Sequence, residues 1–192
     1  MSDPVEVLDY WLGELGPDGW YAGGAELDDQ IRDCFGDLWQ AAADGGLDHW
    51  VEGPAGALAF LVVTDQFPRN MWRGSAKAFS TDAMALAAAR KAIAAGWDMA
   101  VPEPERQFFY LPFMHSELLA DQQECIGLMD ERMPETGESN RLHARAHAEI
   151  IRRFGRFPYR NAAFGRETTA EEQAFLTDGG YGAIVERLKS AG

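Results

Sequence analysis

The stretch LAFLVV, residues 58–63, decides the fold class of this chain, because it is the strongest candidate for a β-strand. A short run without polar residues suits a buried strand or a buried helix, and its periodicity alone does not separate the two. Leu58, Leu61 and Val62 lie at the i, i+3 and i+4 positions of a helical face. The pattern extends on both sides of the run, and no second run offers a partner strand. We therefore predict a buried helix over about residues 54–66.

Helical signals dominate the rest of the sequence. Ser2 or Asp3 suits the cap of a first helix that has Pro4 in its first turn. Near the other end, TAEEQAFL, residues 169–176, resembles a capping box. Many helices joined by short loops predict an all-α fold of antiparallel helix pairs, with over half of the residues helical. The remaining long helices are expected at about residues 26–43, 80–95, 116–133 and 140–154.

The chain has 192 residues and a formal net charge of -14. This length suits one domain, or at most two small ones. The negative charge argues against nonspecific binding to nucleic acid or to an acidic membrane surface, since both need a basic face. No apolar run approaches the roughly 18–20 residues of a membrane span, and the acidic start lacks the cations of a secretion signal. The two cysteines, Cys34 and Cys125, have no metal or redox spacing, so we expect a cytoplasmic protein.

One phrase, Phe-Pro followed by Arg-Asn and then by a further Arg and a Gly, occurs twice. It lies in DQFPRNMWRG, residues 65–74, and in GRFPYRNAAFGRE, residues 155–167, which has one extra residue, Tyr159. Both copies follow an apolar helix and precede a helix with a Ser/Thr cap. They are either an internal duplication or two proline-marked turns of similar composition. A duplication predicts a similar local backbone at residues 67–70 and 157–161, and predicts that the two lie near each other.

Lys and Arg residues of this acidic chain are concentrated in the two phrases and the residues that flank them. Arginine forks suit bidentate binding of carboxylate or phosphate, and nearby helix N-termini add partial positive charge. The other interpretation is a buried network in which acids neutralise these arginines and fix the helix packing. The sequence leaves both open, and we expect the turns to converge on one pocket where at least one arginine meets an anion. The phrases and flanks hold eight of the chain's 17 Lys and Arg residues: Arg69, Arg73, Lys77, Arg152, Arg153, Arg156, Arg160 and Arg166.

Four blocks are long and rich in rare residues: VLDYWLGEL (7–15), LAFLVVTDQFPRNMWRGSAKAFSTDAMALA (58–87), ERQFFYLPFMHSELLADQQ (105–123) and IIRRFGRFPYRNAAFGRETTAEEQAFL (150–176). In these blocks the chain resembles the bacterial "domain of unknown function 924" family. The resemblance implies a single all-α domain over residues 1–192, with helix pairs in a right-handed array like that of tetratricopeptide repeats. It implies no known reaction. Thr64 and Tyr159 depart from the family pattern without unsettling the fold. Family-typical positions include Asp65, Gln66, Arg69, Asn70, Asp82, His115, Glu117, Asp121, Gln122, Arg156, Arg160 and Asn161.

The candidate site residues follow from these patterns. His115 and Glu117 are the candidates for acid or base chemistry, because Glu117 and Asp121 lie four apart on one helical face with His115 just before it. Structural ion-pair partners are expected among the acids Asp65, Asp82 and Asp121. Ligand-binding roles are predicted for Arg69, Asn70, Arg73, Trp72, Tyr110, Arg156, Arg160, Asn161 and Arg166.

Metal and cofactor signals are weak. The His115–Glu117 spacing is not the HExxH pattern that places two ligands on one helical face. His143 and His147 lie at i and i+4, which suits a surface metal site but is more typical of a solvated face. No phosphate-binding loop, dinucleotide fingerprint, nucleophile elbow or CxxC pair occurs. We therefore predict no metal and no cofactor.

Three functions stay open. The favoured one is a binding module that holds the carboxylate or phosphate group of a small molecule or acidic peptide in an arginine-lined pocket or groove. The second is an enzyme acting on a small anionic substrate, with arginines as clamp and His115 or Glu117 as acid or base. In the third, the arginines are purely architectural. No nucleic-acid or membrane partner is expected.

Overall fold

A computed structural model describes residues 3–191 and shows an all-α protein. Helices account for 73% of the structure, and no strand occurs among residues 3–191, which confirms the predicted all-α fold class. The chain divides into two compact units, of which the first ends at Pro112 and the second begins at Phe113. The single domain and the right-handed repeat-like array stay predictions.

The stretch that decides the fold class is helical, as predicted. Helix α4 begins at Pro54 and is followed without a break by a π-helical segment and then by a short α5. Leu58, Leu61 and Val62 are 2%, 0% and 0% exposed. Burial on all sides explains why the run carries no polar residue. In chain order the three pieces are α4 (Pro54–Leu61), the π-helix Val62–Gln66 and α5 (Phe67–Met71).

The helix predicted over about residues 54–66 does not end before Pro68 but continues through it. The amide of Phe67 bonds to the carbonyl of Val62, five residues back, so a π-helical turn leads into α5 with Pro68 in its first turn. Proline has no N–H for the carbonyl of Thr64, four residues back. The hydroxyl of Thr81 donates to that carbonyl instead, at 2.6 Å.

The first unit surrounds this helix. Asp3 caps α1 by accepting a 2.9 Å hydrogen bond from the amide of Val5, whereas Ser2 lies outside the described residues. Helix α3 packs against α5, and α4 packs against α1 and α6. The other helices up to the unit boundary are α1 (Pro4–Leu8), the π-helix Asp9–Leu15, α2 (Gly16–Gly19), α3 (Ala25–Ala43) and α6 (Asp82–Ala94); α7 (Leu111–Met114) contains the boundary itself.

The second unit is built from α8 (Leu119–Arg132), α9 (Glu138–Phe154), α10 (Ala170–Thr177) and α11 (Gly180–Ala191). Helix α9 packs against both α8 and α11, and the short connection between α8 and α9 makes them an antiparallel pair. Helix α9 ends at Gly155, whose φ of 68° is left-handed. The predicted capping box is present: Thr169 accepts from the Glu172 amide, and the Glu172 side chain accepts from the Thr169 amide. The core of the unit consists of Ala146, Ile150, Ile151, Phe157, Phe175, Ile184 and Val185.

Candidate functional site

In the second unit, the predicted site residues gather around Phe157. The chain leaves α9 at Gly155 and runs extended through Phe157, which is fully buried, into a short 3-10 helix, Pro158–Arg160. The amide of Phe157 donates to Glu117 at 2.8 Å, and its carbonyl accepts from Arg166 at 3.3 Å. We call the set Glu117, Phe157, Arg160, Asn161 and Arg166 the Phe157 site.

Glu117 and Arg166 form a two-bonded ion pair. The two guanidinium nitrogens donate to the two carboxylate oxygens at 2.7 and 3.0 Å, and both side chains are about a quarter exposed. Burial raises the pKa of Glu117, but the hydrogen bonds from Arg166 and from the Phe157 amide outweigh it, so its pKa lies below the usual range. Glu117 is therefore ionised at neutral pH and is poorly suited to act as a general acid.

Arg160 is 5% exposed and lies against aromatic rings. One of its terminal nitrogens donates to the carbonyl of His115 at 3.0 Å. The guanidinium carbon stands 4.4 Å from the ring centre of Phe157 and 5.9 Å from that of Tyr159, which is cation–π geometry. The structure thus brings the candidate His115 and this predicted arginine together through a backbone carbonyl.

Arg156 and Asn161 both bind Glu172, an acid that the sequence analysis did not propose as a partner. Arg156 donates to the two carboxylate oxygens at 2.6 and 2.8 Å, and Asn161 donates at 3.2 Å. The hydrogen bond from Arg156 is the main cause that lowers the pKa of Glu172 to about 2. The capping-box signal pointed to this glutamate, since the box already placed its side chain at the start of α10.

The interpretation of His143 and His147 as a solvated face is wrong for His147. Its Nδ1 atom lies 2.9 Å from the carbonyl of His143, and its ring contacts those of Phe157 and Tyr181 at 5.3 and 4.8 Å. His143 itself makes a hydrogen bond through Nδ1 to the hydroxyl of Tyr181. Burial lowers the pKa of His147 to about 3. The helical i, i+4 spacing alone does not reveal which of the two faces the interior.

Asp121 and Gln122, at the start of α8, hold the preceding loop. Asp121 accepts a 2.6 Å hydrogen bond from the hydroxyl of Ser116. Gln122 is fully buried, and its amide nitrogen lies within hydrogen-bond distance of the carbonyls of Phe113, Met114 and Ser116. These bonds fix the backbone immediately before Glu117.

Some buried polar atoms in or near the Phe157 site have no partner within the described part of the chain. Among residues 3–191, the buried Nε of Arg166, Oδ1 of Asn161 and Oε1 of Gln122 have no hydrogen-bond partner. Native proteins leave few such atoms unpaired, and each costs about 1–3 kcal/mol if nothing binds it. Two of the three belong to the Phe157 site.

In the first unit, Arg69, a predicted ligand-binding residue, is held by two acids, Asp65 and Asp82. Its terminal nitrogens donate to the carboxylate of Asp82 at 3.0 and 3.1 Å. It also donates to the backbone carbonyl of Asp65 at 2.7 Å and lies 3.4 Å from that residue's carboxylate. Asp65 is buried and Arg69 is mostly so. This arginine therefore joins the end of the π-helix to the start of α6.

Arg73 and Asn70 share a different acid, Asp28 of α3. Arg73 donates to both oxygens of that carboxylate at 2.9 Å, and Asn70 donates at 3.2 Å. The hydrogen bond from Arg73 is the main cause that lowers the pKa of Asp28. Asp28 was not among the predicted acids, although it lies three positions before Ile31 on the buried face of α3.

The two aromatic residues proposed beside a pocket have different surroundings. The Trp72 ring packs against that of Trp39 at 4.1 Å, and the amine of Lys77 lies 4.0 Å from the Trp72 ring. Tyr110 is fully buried and donates its hydroxyl to Asp98 at 2.7 Å. Trp72 thus belongs to a partly exposed aromatic–cation contact, and Tyr110 belongs to the interior.

The two sequence phrases do not share a backbone conformation, so that part of the duplication hypothesis is wrong. Phe67 is helical, with φ and ψ of -55° and -44°, whereas Phe157 is extended, with -89° and 107°. A chemical parallel persists. In each phrase the asparagine donates to a carboxylate that also holds an arginine, as Asn70 does to Asp28 and Asn161 to Glu172.

The described part of the chain contains no group of three or more His, Cys, Asp or Glu side chains arranged to hold a metal ion. Within the same residues, no helix combines the length and apolar character that crossing a membrane requires.

Fold and site together define a class: an all-α protein whose arginines are tied to carboxylates within each of two units. A family model described as "Bacterial protein of unknown function (DUF924)" matches residues 7–180, and the chain belongs to this family. It is similar to the solved structure of the Agrobacterium tumefaciens protein of unknown function ATU0120 at 42% identity, covering 91% of this chain and 97% of that one, with a TM-score of 0.84. A search of curated proteins finds no match.

Proposed function

We propose that this protein is a helical binding module whose ligand carries a carboxylate or phosphate group and is held at the Phe157 site. The ligand is a small molecule or the acidic side chain of a peptide. The arginines supply its counter-charge, and the acidic remainder of the chain, with a net charge of -14, disfavours extended polyanions.

The observation that carries the proposal is the unpaired Nε of Arg166. This atom is buried and has no partner among residues 3–191, while the two terminal nitrogens of the same guanidinium bind Glu117 and Phe157. A donor on a cationic group is the natural partner of an anionic oxygen. The unpaired Oδ1 of Asn161 lies on a residue whose carbonyl accepts from the Arg166 amide at 2.8 Å. The turn from Asn161 to Arg166 therefore offers one donor and one acceptor.

The first unit supports such a role less well. Arg69 already has its terminal nitrogens on Asp82 and on Asp65. Arg73 is more exposed than Arg69, but it donates hydrogen bonds to both carboxylate oxygens of Asp28. A ligand there would have to displace an internal carboxylate.

The test is anion binding by Arg166 variants, measured by isothermal titration calorimetry and by melting with phosphate and with succinate. We expect the parent to bind and to melt at higher temperature with an anion, and we expect Arg166→Met to lose this response. Arg152→Met is the matched control, because it removes the same charge from an arginine on the same unit whose side chain is 63% exposed. If no anion binds the parent, or if Arg166→Met responds as Arg152→Met does, the proposal is wrong.

A purely architectural role of the arginines is the second candidate. It is favoured by the two-bonded pairs that Arg69, Arg156 and Arg166 make with Asp82, Glu172 and Glu117. In that case every one of these arginines is needed for stability and the parent shows no response to anions.

A further inference from the structure

We propose that His147 is a further ligand-binding residue of the Phe157 site and accepts a hydrogen bond through Nε2. The ligand then carries a hydroxyl beside its anionic group, as a hydroxycarboxylate or a hydroxyalkyl phosphate does. This inference rests on the proposed function and names the ligand class that the same site takes.

The first step is the proton on the imidazole. Nδ1 of His147 lies 2.9 Å from the carbonyl oxygen of His143, one turn earlier on α9. A carbonyl only accepts, so Nδ1 carries the proton and Nε2 carries the lone pair. The hydrogen-bond network thus assigns a tautomer whose second nitrogen is an acceptor.

The second step is the position of the ring. His147 meets the ring of Phe157 edge to face, with centroids 5.3 Å apart and an angle of 83°. Arg160 places its guanidinium carbon 4.4 Å from the centre of the same ring. Tyr181, at 4.8 Å, packs against the imidazole from α11. The ring of Phe157 therefore contacts both the cationic Arg160 and the imidazole of His147.

The third step is charge. Burial lowers the pKa of His147 to about 3, and the neighbouring His115, Arg160 and His143 act in the same direction, while the hydrogen bond to the His143 carbonyl opposes them. The imidazole is therefore neutral at pH 7 and offers a lone pair without adding a cation. It is also too weak a base to take a proton from a hydroxyl, so its role is recognition.

The fourth step is complementarity with the rest of the site. Arg166 offers an unpaired donor at Nε, which suits an anionic oxygen. A ligand hydroxyl has one proton to donate, and Nε2 of His147 is the acceptor proposed for it. A donor and an acceptor of this kind match a ligand that carries both an acidic group and a hydroxyl.

The test compares ligands that differ by one hydroxyl: malate with succinate, and glycerol 3-phosphate with propyl phosphate. Calorimetry on the parent should show the hydroxylated member of the bound class binding about three- to tenfold tighter, the value of one neutral hydrogen bond. The first pair tests a carboxylate ligand and the second pair a phosphate ligand.

The decisive variant is His147→Asn, whose amide can still donate to the His143 carbonyl but has nothing at the place of Nε2. We expect it to bind both members of a pair equally. His49→Asn, on an exposed histidine of the first unit, is the control and should keep the parent's preference. A His147→Asn protein that keeps the preference overturns the inference.

A measurement on the parent covers the case in which His147→Asn does not fold. The ¹⁵N chemical shift of Nε2 in His147 should move to lower frequency with malate or glycerol 3-phosphate and stay in place with succinate or propyl phosphate. If all four probes bind without a hydroxyl preference, only the role of His147 is wrong. If none of them binds, the proposed function fails and this inference fails with it.

Discussion

Glu117 accepts a 2.8 Å hydrogen bond from the backbone amide of Phe157 and two more, at 2.7 and 3.0 Å, from the side chain of Arg166. One carboxylate before α8 therefore holds the segment that follows α9 at two points 40 and 49 residues away in sequence. Such long-range bonds fix where the turn that carries Arg160 and Asn161 lies, which makes Glu117 the anchor of the candidate site.

Replacing Glu117 by Gln should destabilise the second unit by about 1–2 kcal/mol, because the amide keeps an acceptor for Phe157 but loses the charge that pairs Arg166. The two side chains are about a quarter exposed, which limits the cost. Urea unfolding followed by circular dichroism measures the change. Glu186→Gln, on the exposed Lys189 pair, is the control and should stay within about 0.5 kcal/mol of the parent. Equal effects of the two changes would show that Glu117 is not an anchor.

Thr81 supports the helix around Pro68, so Thr81→Val should cost about 2–4 kcal/mol. The change leaves the Thr64 carbonyl and the indole N–H of Trp39 without the hydroxyl that binds them at 2.6 and 3.2 Å. Thr81→Ser keeps the hydroxyl and should cost only about 1 kcal/mol, for one buried methyl group. All six tryptophans lie between residues 11 and 97, so tryptophan fluorescence during urea unfolding reports on the first unit. Equal losses in both variants would contradict the role of the hydroxyl.

Arg69 and Arg73 occur in the same phrase, but their removal should have unequal effects. Arg69 is about one-fifth exposed and binds Asp82 and Asp65, so Arg69→Met should cost about 2–3 kcal/mol. Arg73 is 56% exposed, and Asn70 still donates to Asp28 without it, so Arg73→Met should cost less than about 1 kcal/mol. Fluorescence-detected unfolding measures both. A larger loss in Arg73→Met than in Arg69→Met would reverse the ranking of the two networks.

Much of the fold could be predicted because the local signals agree with one another. The helical spacing of Leu58, Leu61 and Val62 identified a buried helix, and the capping box at Thr169 was read directly from sequence. The passage of the helix through Pro68 was not predictable. It depends on a hydrogen bond from Phe67 to a carbonyl five residues back, for which the sequence carries no signal.

The candidate site was only partly visible in the sequence. Opposite charges and a shared phrase pointed to Asp65 and Asp82 as ion-pair acids and to the arginines around Phe157, but the acids Asp28 and Glu172 were missed. Charge pairing depends on which helices meet, and that is a tertiary property. Glu172 could have been found, because a capping box already places its carboxylate beside the backbone amide of Thr169.

In the second unit, His147 and Glu172 should contribute to the pH dependence of stability in different pH ranges. His147 has a folded pKa of about 3 against a usual value of 6.5, so the unfolded chain binds the proton more readily. Stability should therefore fall as pH decreases below about 6.5, and the loss continues down to the folded pKa. His147→Asn should flatten the upper part of this curve, between about pH 6.5 and 4.5.

Glu172 changes the stability at lower pH than His147 does, and it does so through a carboxylate instead of an imidazole. Its folded pKa of about 2 lies below the usual 4.5, so the stabilisation it provides is complete above about pH 4.5 and is lost as pH falls towards 2. Glu172→Gln should lower the melting temperature at pH 7 and flatten the curve below pH 4.5, while leaving the histidine window unchanged. Amide hydrogen exchange in α9 and α11 follows the second unit through both windows, and tryptophan fluorescence follows the first unit in the same samples. If His147→Asn keeps the parent's slope between pH 6.5 and 4.5, the imidazole is not held neutral in the folded protein, and Nε2 loses the lone pair that the ligand hydroxyl is proposed to meet.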